Sequence, residues 1–375
     1  MKEAYSRILP LPNSKSIFFS NLLKKKIINK IQISEKKEIS FFNYVNYILY
    51  DKKYGYYNNN LKKFGKDGDF TTAPQISSVF GKCIAFRISK ITDKYFSILE
   101  IGAGTGKLAI DIIKELFNLN INIKKYYILE LSSFLRMEQT RNILSEGKKV
   151  FDKVEWILDF PKEFEGVILA NELLDALPFN LIQMKKNVFY EMHVTSKNDQ
   201  FYLKRSLMKN NKLKQIMLAN IPENILSYDS FYQTEVNMLL EPFLNSVFHC
   251  LKKGYILFFD YGFLKSELYH EERNMGTFMC HYRHFKHSNP FFFPGLQDIT
   301  SHVDFSYIKN ETIKKGLVVS GYGNQSDFLI SSNLNKIMLH ESKKRKNIFK
   351  LNQEIFSLTS PNEMGSLFKV IEIKK

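Results

Sequence analysis

The sequence predicts an α/β fold built on a Rossmann-like, doubly wound parallel sheet. Three observations carry this. From about residue 80 onward, short apolar runs alternate with amphipathic helical patterns. A glycine-rich turn, "LEIGAGTGKLAI" (99–110), joins the first of these runs to the first of these helices. Two acids, Glu100 and Glu130, stand at the ends of the first two runs. Alternation of this kind places parallel strands between layers of helix.

The elements follow in order. Residues 1–35 read as a variable N-terminal extension with one basic amphipathic helix. They lack the long apolar core of a signal peptide, and a frayed extension is expected rather than a transit peptide. "ISFFNYVNYILYDKKYGYYNNN" (39–60) reads as a helix stopped by Gly55. "FGKDGDFTTAPQISSVFG" (64–81) is a loop leading into a helix. In it Asp69, Thr71, Thr72 and Pro74 suit a lid over a small ligand. Tyr56, Tyr57 and Phe70 are aromatic neighbours able to face a cation. "YFSILEI" is a strand, and "GKLAIDIIKELF" a helix with Leu108, Ile112 and Leu116 on one face. "KYYILEL" is the second strand, followed by a helix that the serine pair 132–133 can cap. "KVEWIL" and "EGVILAN" are the third and fourth strands, and "NSVFHCLKKGYILFFDYG" supplies a helix, a glycine turn and a further strand. The resulting domain reading is a single domain, 36–375. Its core spans about 80–262, with a hairpin-like insertion at about 181–230 and a C-terminal cap at 263–375.

Composition narrows the function classes. No apolar run approaches the roughly 20 residues of a membrane span. The three cysteines, Cys83, Cys250 and Cys280, form no CxxC pair, which disfavours a disulfide framework or structural zinc and fits a reducing compartment. The net charge of +16 keeps a nucleic-acid partner open. However, the runs Lys24–Lys26 and Lys343–Lys346 are not interleaved with aromatics, and lysine is abundant throughout.

The glycine turn can be tested against three ligand classes. A P-loop needs GxxxxGK[ST]; here Leu108 follows Lys107, and Ile101 stands where the first glycine belongs. A dinucleotide fingerprint needs GxGxxG; Gly102 and Gly104 fit, but Lys107 takes the third place. The third pattern, Glu100-x-Gly102-x-Gly104-x-Gly106, resembles the first motif of class I S-adenosylmethionine (SAM) methyltransferases. Its glycines let the backbone approach the amino-acid part of SAM, and its acid can hold the ammonium. Glu130 at the next strand end can accept both ribose hydroxyls. The fourth strand runs into "NELLDALPF", which gathers Asn171, Glu172 and Asp175 at the carboxyl edge. If that turn is helical, Glu172 and Asp175 share a face and can orient a guanidinium and take up its proton.

Longer segments extend the resemblance. "YGYY" (54–57), "KFGKDGDFTTAPQISSVFG", "LEIGAGTGKLA", "YYILELSSFLR", "ANELLDALPF", "FFDYGF", "GTFMCHYRHFKHSNPFFFPGLQDITSHVDF" and "PNEMGSLFKV" resemble, in this order, motifs of the MidA family. These are class I SAM-dependent methyltransferases. Mitochondrial members methylate an arginine of a complex I subunit during its assembly. The resemblance runs from about Ile39 to the C-terminus and is strongest to bacterial members. It implies a Rossmann-like methyltransferase fold and SAM as cofactor. It implies that Thr71, Thr72, Pro74, Gly102, Gly104, Gly106 and Glu130 border or bind SAM. It also implies that Asn171, Glu172 and Asp175 line the methyl-transfer edge. An acceptor protein, such as a respiratory-complex subunit, is the implied partner. RNA or small-molecule methylation, and a SAM-binding assembly factor with little turnover, stand as alternatives. The implied compartment is bacterial cytoplasm, with the mitochondrial matrix second; oligomeric state, a homodimer included, stays open. Segment 281–305 becomes site-lining through the same resemblance, with His281, His284 and His287 read as no metal site. Gln75 stands where many members carry Glu, which weakens the expected grip on a guanidinium or changes the acceptor.

Overall fold

The computed structural model describes residues 9–375 apart from positions 60, 62, 64–67, 70, 93 and 94. Phe70, expected beside the lid, lies outside the described residues. The chain divides into two compact units. One draws on the N-terminal part of the chain, Asp175–Pro242 and Phe263–Tyr307; the other comprises Thr71–Leu174, Phe243–Gly262 and Ile308–Lys375.

The second unit holds the predicted parallel sheet. Across the sheet the strands run Val318–Asn324, Phe368–Lys374, Leu251–Phe263, Phe164–Asn171, Ser97–Ile101, Tyr126–Leu129 and Val154–Ile157. Pairings from Leu251–Phe263 through to Val154–Ile157 are parallel, as the alternation implied. The order reverses between Ser97–Ile101 and Phe164–Asn171, which makes their carboxyl ends the switch point where doubly wound sheets bind ligands. Helix Lys107–Asn118 buries Leu108, Ile112 and Leu116, the predicted face. Ser132 caps helix Ser133–Ser145, its side chain accepting from Leu135 N–H.

Two features of this unit differ from the expectation. The sequence predicts a cap over 263–375, yet the last strands of that segment lie in the sheet itself: Phe368–Lys374 runs antiparallel between Leu251–Phe263 and Val318–Asn324. An edge insertion of this kind leaves no mark in local periodicity. The glycine expected to make a turn, Gly254, lies instead inside a strand beside an irregularity in register. It sits at φ +138°, and a Cβ at this position would stand 1.9 Å from the Gly166 carbonyl oxygen. The glycine allows close strand approach rather than chain reversal.

The first unit is built on an antiparallel sheet. Ile39–Ser40, Val188–Lys197, Asn180–Lys185 and Tyr232–Val236 lie side by side, with Gln200–Leu207 paired to Val188–Lys197. The hairpin-like insertion is therefore joined to chain from both its sides. Helix Ser14–Ile33 is not a frayed lead-in: Leu23, Ile27 and Ile31 are buried in the core with Phe41, Tyr44, Ile48 and Phe179. The next helix, Phe41–Tyr50, ends five residues before Gly55. Asp51 stops it: its Oδ1 accepts from Lys53 and Tyr54 N–H at 3.1 Å each, and its carboxylate pairs with Lys26. An Asx turn of this type competes with helical hydrogen bonding.

Candidate active site

At the switch point, Gly102, Gly104 and Gly106 have φ of +70°, +52° and +80°. A turn with three left-handed positions is open to glycine at low cost. Gly102 N–H donates to the Leu129 carbonyl at 3.0 Å, which ties the turn to the end of the neighbouring strand. From the other side, Gln139 Nε2 donates to Gly104 O at 2.9 Å and Asn142 Nδ2 to Thr105 O at 2.9 Å. Gln75 Nε2 donates to Thr105 Oγ1 at 2.6 Å. Gln75 thus braces the glycine turn in this chain.

Glu130 is buried, with Oε1 accepting from Ser132 N–H at 2.9 Å and Oε2 from Gln139 Nε2 at 3.0 Å. It serves the helix start, accepting also from Leu131 N–H, and remains a strand-end acceptor, since an ionised carboxylate has about four acceptor positions. Trp156 Nε1 donates to Gln139 Oε1 at 2.9 Å, which fixes the amide that links Glu130 to Gly104. Glu100 is buried and accepts from Tyr126 Oη at 2.7 Å. Burial, reinforced by the Glu130 carboxylate, pushes its pKa up to about 7 although the Tyr126 bond opposes the shift.

The turn after the fourth strand is not helical, so the expected shared face of Glu172 and Asp175 does not form. Glu172 instead sits at φ +51°, its N–H bonded to Phe259 O at 2.8 Å. Its Oε1 accepts from Ala73 N–H and from Asn171 Nδ2, each at 3.2 Å. The Ala73 bond joins Glu172 to the loop carrying Thr71, Thr72 and Pro74, of which Thr72 is buried at the start of helix Ala73–Ile76. Asn171 Oδ1 is buried with no hydrogen-bond partner. Asp260, at the end of the fifth parallel strand, holds this turn: its Oδ2 accepts from Leu173 N–H at 3.2 Å and Leu174 N–H at 2.8 Å. Sequence reasoning misses Asp260, although the strand-end rule that finds Glu130 applies equally to it. It also misses Gln139, because one buried amide on a largely polar helix leaves no pattern.

Asp175 and Asp69 fall in the first unit, with Tyr56, Tyr57 and segment 281–305. Asp69 Oδ1 accepts from Arg283 N–H and the Asp69 carbonyl from His284 N–H, both at 2.8 Å. Arg283 and His284 form the two-residue hairpin turn, both at positive φ, and Asp69 supplies the partners for their N–H groups. Burial pushes Asp69 up to about 6 against the pull of Arg283 and Tyr56. Tyr56 and Tyr57 pack within the first unit, and Lys63 Nζ stands over the Tyr56 ring, 5.9 Å from its centroid. Tyr57 stacks on Tyr50 with centroids 5.4 Å apart and meets Tyr56 edge-on at 5.1 Å. His284 is exposed and His287 buried. Burial, together with Lys286 and His287, lowers His281 to about 4. Among the described residues no group of three or more His, Cys, Asp or Glu side chains is arranged to hold a metal ion.

A glycine cradle at the topological switch point, with an acid at the end of the adjacent strand, defines a doubly wound protein of the kind that binds a nucleoside cofactor such as SAM. The family comparison is specific: residues 81–323 match the family of S-adenosyl-L-methionine-dependent methyltransferases, and the chain belongs to that family. It is a MidA-like methyltransferase. A COG1565 superfamily member from Burkholderia thailandensis, solved bound to S-adenosyl-homocysteine, is 31% identical, with a TM-score of 0.90, covering 98% of this chain and 95% of that one. The mitochondrial protein arginine methyltransferase NDUFAF7 of Homo sapiens is 25% identical over 90% of this chain and 80% of its own length. Its Caenorhabditis elegans homolog is 26% identical over 88% and 80%.

Proposed function

We propose that this SAM-dependent methyltransferase modifies an arginine side chain of a protein. The observation that carries the reading is Asn171 Oδ1, a buried acceptor without a partner beside the Glu172 carboxylate at the carboxyl edge of the sheet. Buried acceptors without partners cost about 1–3 kcal/mol, and a guanidinium is rich in donors. The names of the mitochondrial relatives support the same acceptor class.

In this reading Gly102, Gly104 and Gly106 admit the amino-acid part of SAM, and Glu100 holds its ammonium. Glu130 takes the ribose hydroxyls through its remaining acceptor positions, and Thr71, Thr72 and Pro74 border the nucleoside. When bound, SAM supplies an electrophilic methyl group on a positively charged sulfur. Asn171 and Glu172 orient the acceptor nitrogen, and Glu172 is the carboxylate assigned to its displaced proton. Among the described residues no helix is long and apolar enough to cross a membrane. We place the protein in bacterial cytoplasm, with the mitochondrial matrix as the second reading, since the relatives' names carry the word mitochondrial. Its partner is an acceptor protein of the respiratory-complex kind.

The decisive test uses methyl-labelled SAM and a cell extract. Wild type is expected to place label in protease-sensitive material that yields methylarginine, and Glu172→Ala to lose more than nine-tenths of it. Nuclease-sensitive label would instead assign the reaction to RNA and give the +16 charge a role. Full function in Glu172→Ala would favour a binding factor.

Glu100 makes the cofactor step pH-dependent. Its folded pKa of about 7 lies above the ordinary carboxylate value. The group therefore stays protonated in the fold while the unfolded chain ionises, so its contribution to stability falls as pH rises from about 4.5 to 7. A bound ammonium requires the ionised form, so affinity moves the other way. S-adenosylhomocysteine affinity is expected to fall as pH drops below about 7, by at most about tenfold per unit for one proton. Calorimetric titration from pH 5.5 to 8 should show this slope in wild type and a flat, weak profile in Glu100→Gln.

A further inference from the structure

The basic run Lys343–Lys346 has no part in the site. It lies in the second unit, at the turn between helices Leu334–Lys344 and Ile348–Thr359. Over residues 343–350, "KKRKNIFK", five of eight residues are Lys or Arg, against 54 of 375 in the chain. Composition alone therefore does not account for this density. Arg345 fixes the turn. Its Nε donates to Glu341 Oε2 at 3.1 Å, its Nη1 to Glu354 Oε2 at 2.6 Å and its Nη2 to Ser78 Oγ at 3.2 Å. Asn347 caps the second helix, its Oδ1 accepting from Lys350 N–H at 2.9 Å. Glu341 and Glu354 are the two acids of 334–359, and both face Arg345. The lysines at 343, 344, 346 and 350 are exposed and pair with no acid among the described residues.

Apolar side chains protrude beside them. Ile348 is 51% exposed and Phe349 70%. Phe356, seven residues on and so on the same helix face as Phe349, is 62% exposed. Adjacent exposed groups of this size, unlike single scattered ones, mark an interaction surface. Its occupant must be negatively charged and must cover apolar tips. A second copy of this chain would set four lysines against four. Nucleic acid matches the charge but leaves the aliphatic Ile348 without apolar cover. A folded partner would need a fitted pocket for each protruding side chain. A bilayer containing anionic lipid needs none: its headgroups meet the lysines, and the acyl boundary beneath takes the apolar tips. Apolar insertion and a basic patch are also the two signals that together hold a protein at a membrane surface, where one alone is marginal.

We propose that residues 343–350, with Phe356, dock this protein peripherally on membranes that contain anionic lipid. The docking does not depend on which acceptor is methylated. Full-length protein would be sedimented at physiological salt with vesicles of phosphatidylcholine alone, and of phosphatidylcholine and phosphatidylglycerol at three to one. Wild type is expected to sediment only with the mixed vesicles. Reversing three lysines at the turn (Lys343→Glu, Lys344→Glu, Lys346→Glu) should weaken this at least tenfold. The same change of charge in helix Ser14–Ile33 (Lys24→Glu, Lys25→Glu, Lys30→Glu) should leave it within threefold. Phe349→Ser should weaken it severalfold without altering net charge. Melting temperature and S-adenosylhomocysteine affinity, measured alongside, should stay near wild type in all three variants, since none removes Arg345 or its partners. Equal losses in the two lysine variants would reduce the effect to net charge and overturn the assignment. So would wild type that ignores the mixed vesicles, or Phe349→Ser that binds them as wild type does. Binding to a single-stranded RNA that the turn variant loses, with vesicle binding unchanged, would give the patch to nucleic acid instead.

Discussion

Replacing Gly102 with valine is expected to weaken S-adenosylhomocysteine binding roughly 10- to 100-fold. Gly102 sits at φ +70°, and a Cβ there would stand 2.9 Å from Leu173 Cδ1. A β-branched residue in left-handed backbone is an outlier whose strain is about 1–3 kcal/mol, and about 1.4 kcal/mol is a factor of ten in affinity. Leu173 can swing aside, so the backbone strain sets the effect. The turn escapes it only by giving up the Gly102–Leu129 hydrogen bond that anchors the cradle. Isothermal titration gives the dissociation constant directly. An affinity within twofold of wild type would show that the glycine turn does not approach the ligand.

The second large effect belongs to Asp260. Asp260→Ala removes the acceptor for Leu173 and Leu174 N–H and for Tyr261 N–H at 2.9 Å. Asp260 is 1% exposed, so these donors have little access to water. At about 1–3 kcal/mol for each orphaned buried donor, partly relieved by relaxation, the substitution should destabilise the protein by about 2–5 kcal/mol. Methyl transfer should fall further than stability alone dictates, because the freed turn carries Glu172. Denaturant unfolding and a turnover assay at a temperature where the variant is still folded separate the two. Asp260→Asn, which can keep one carbonyl oxygen on the turn, should fall between Ala and wild type. An alanine variant as stable and active as wild type would remove Asp260 from the site's framework.

The two predictions concern two turns that were unequally legible. Gly102, Gly104, Gly106 and Glu130 are legible because each lies within a few residues of the strand that positions it. Local periodicity locates the strand end, and the ligand-facing position follows from it. The same rule finds Glu172 but not its conformation. The i, i+3 argument assumes helix, whereas an N–H bond to Phe259 and a side-chain bond to Ala73 hold it in left-handed backbone. Nothing near Glu172 in sequence encodes those partners.

By itself, the sequence determined the parallel α/β core, the class of ligand its glycine turn admits and the acids at its strand ends. All three are set by patterns one element long, repeated in order along the chain. Only the tertiary structure decided the antiparallel place of Phe368–Lys374 in the sheet, the joining of helix Ser14–Ile33 to the first unit's core, and the meeting of Tyr57 with Asp298. Those partners stand as far as 241 residues apart. Their contact depends on which faces remain to be buried once the local elements exist, and hydrophobic burial has no memory of sequence distance.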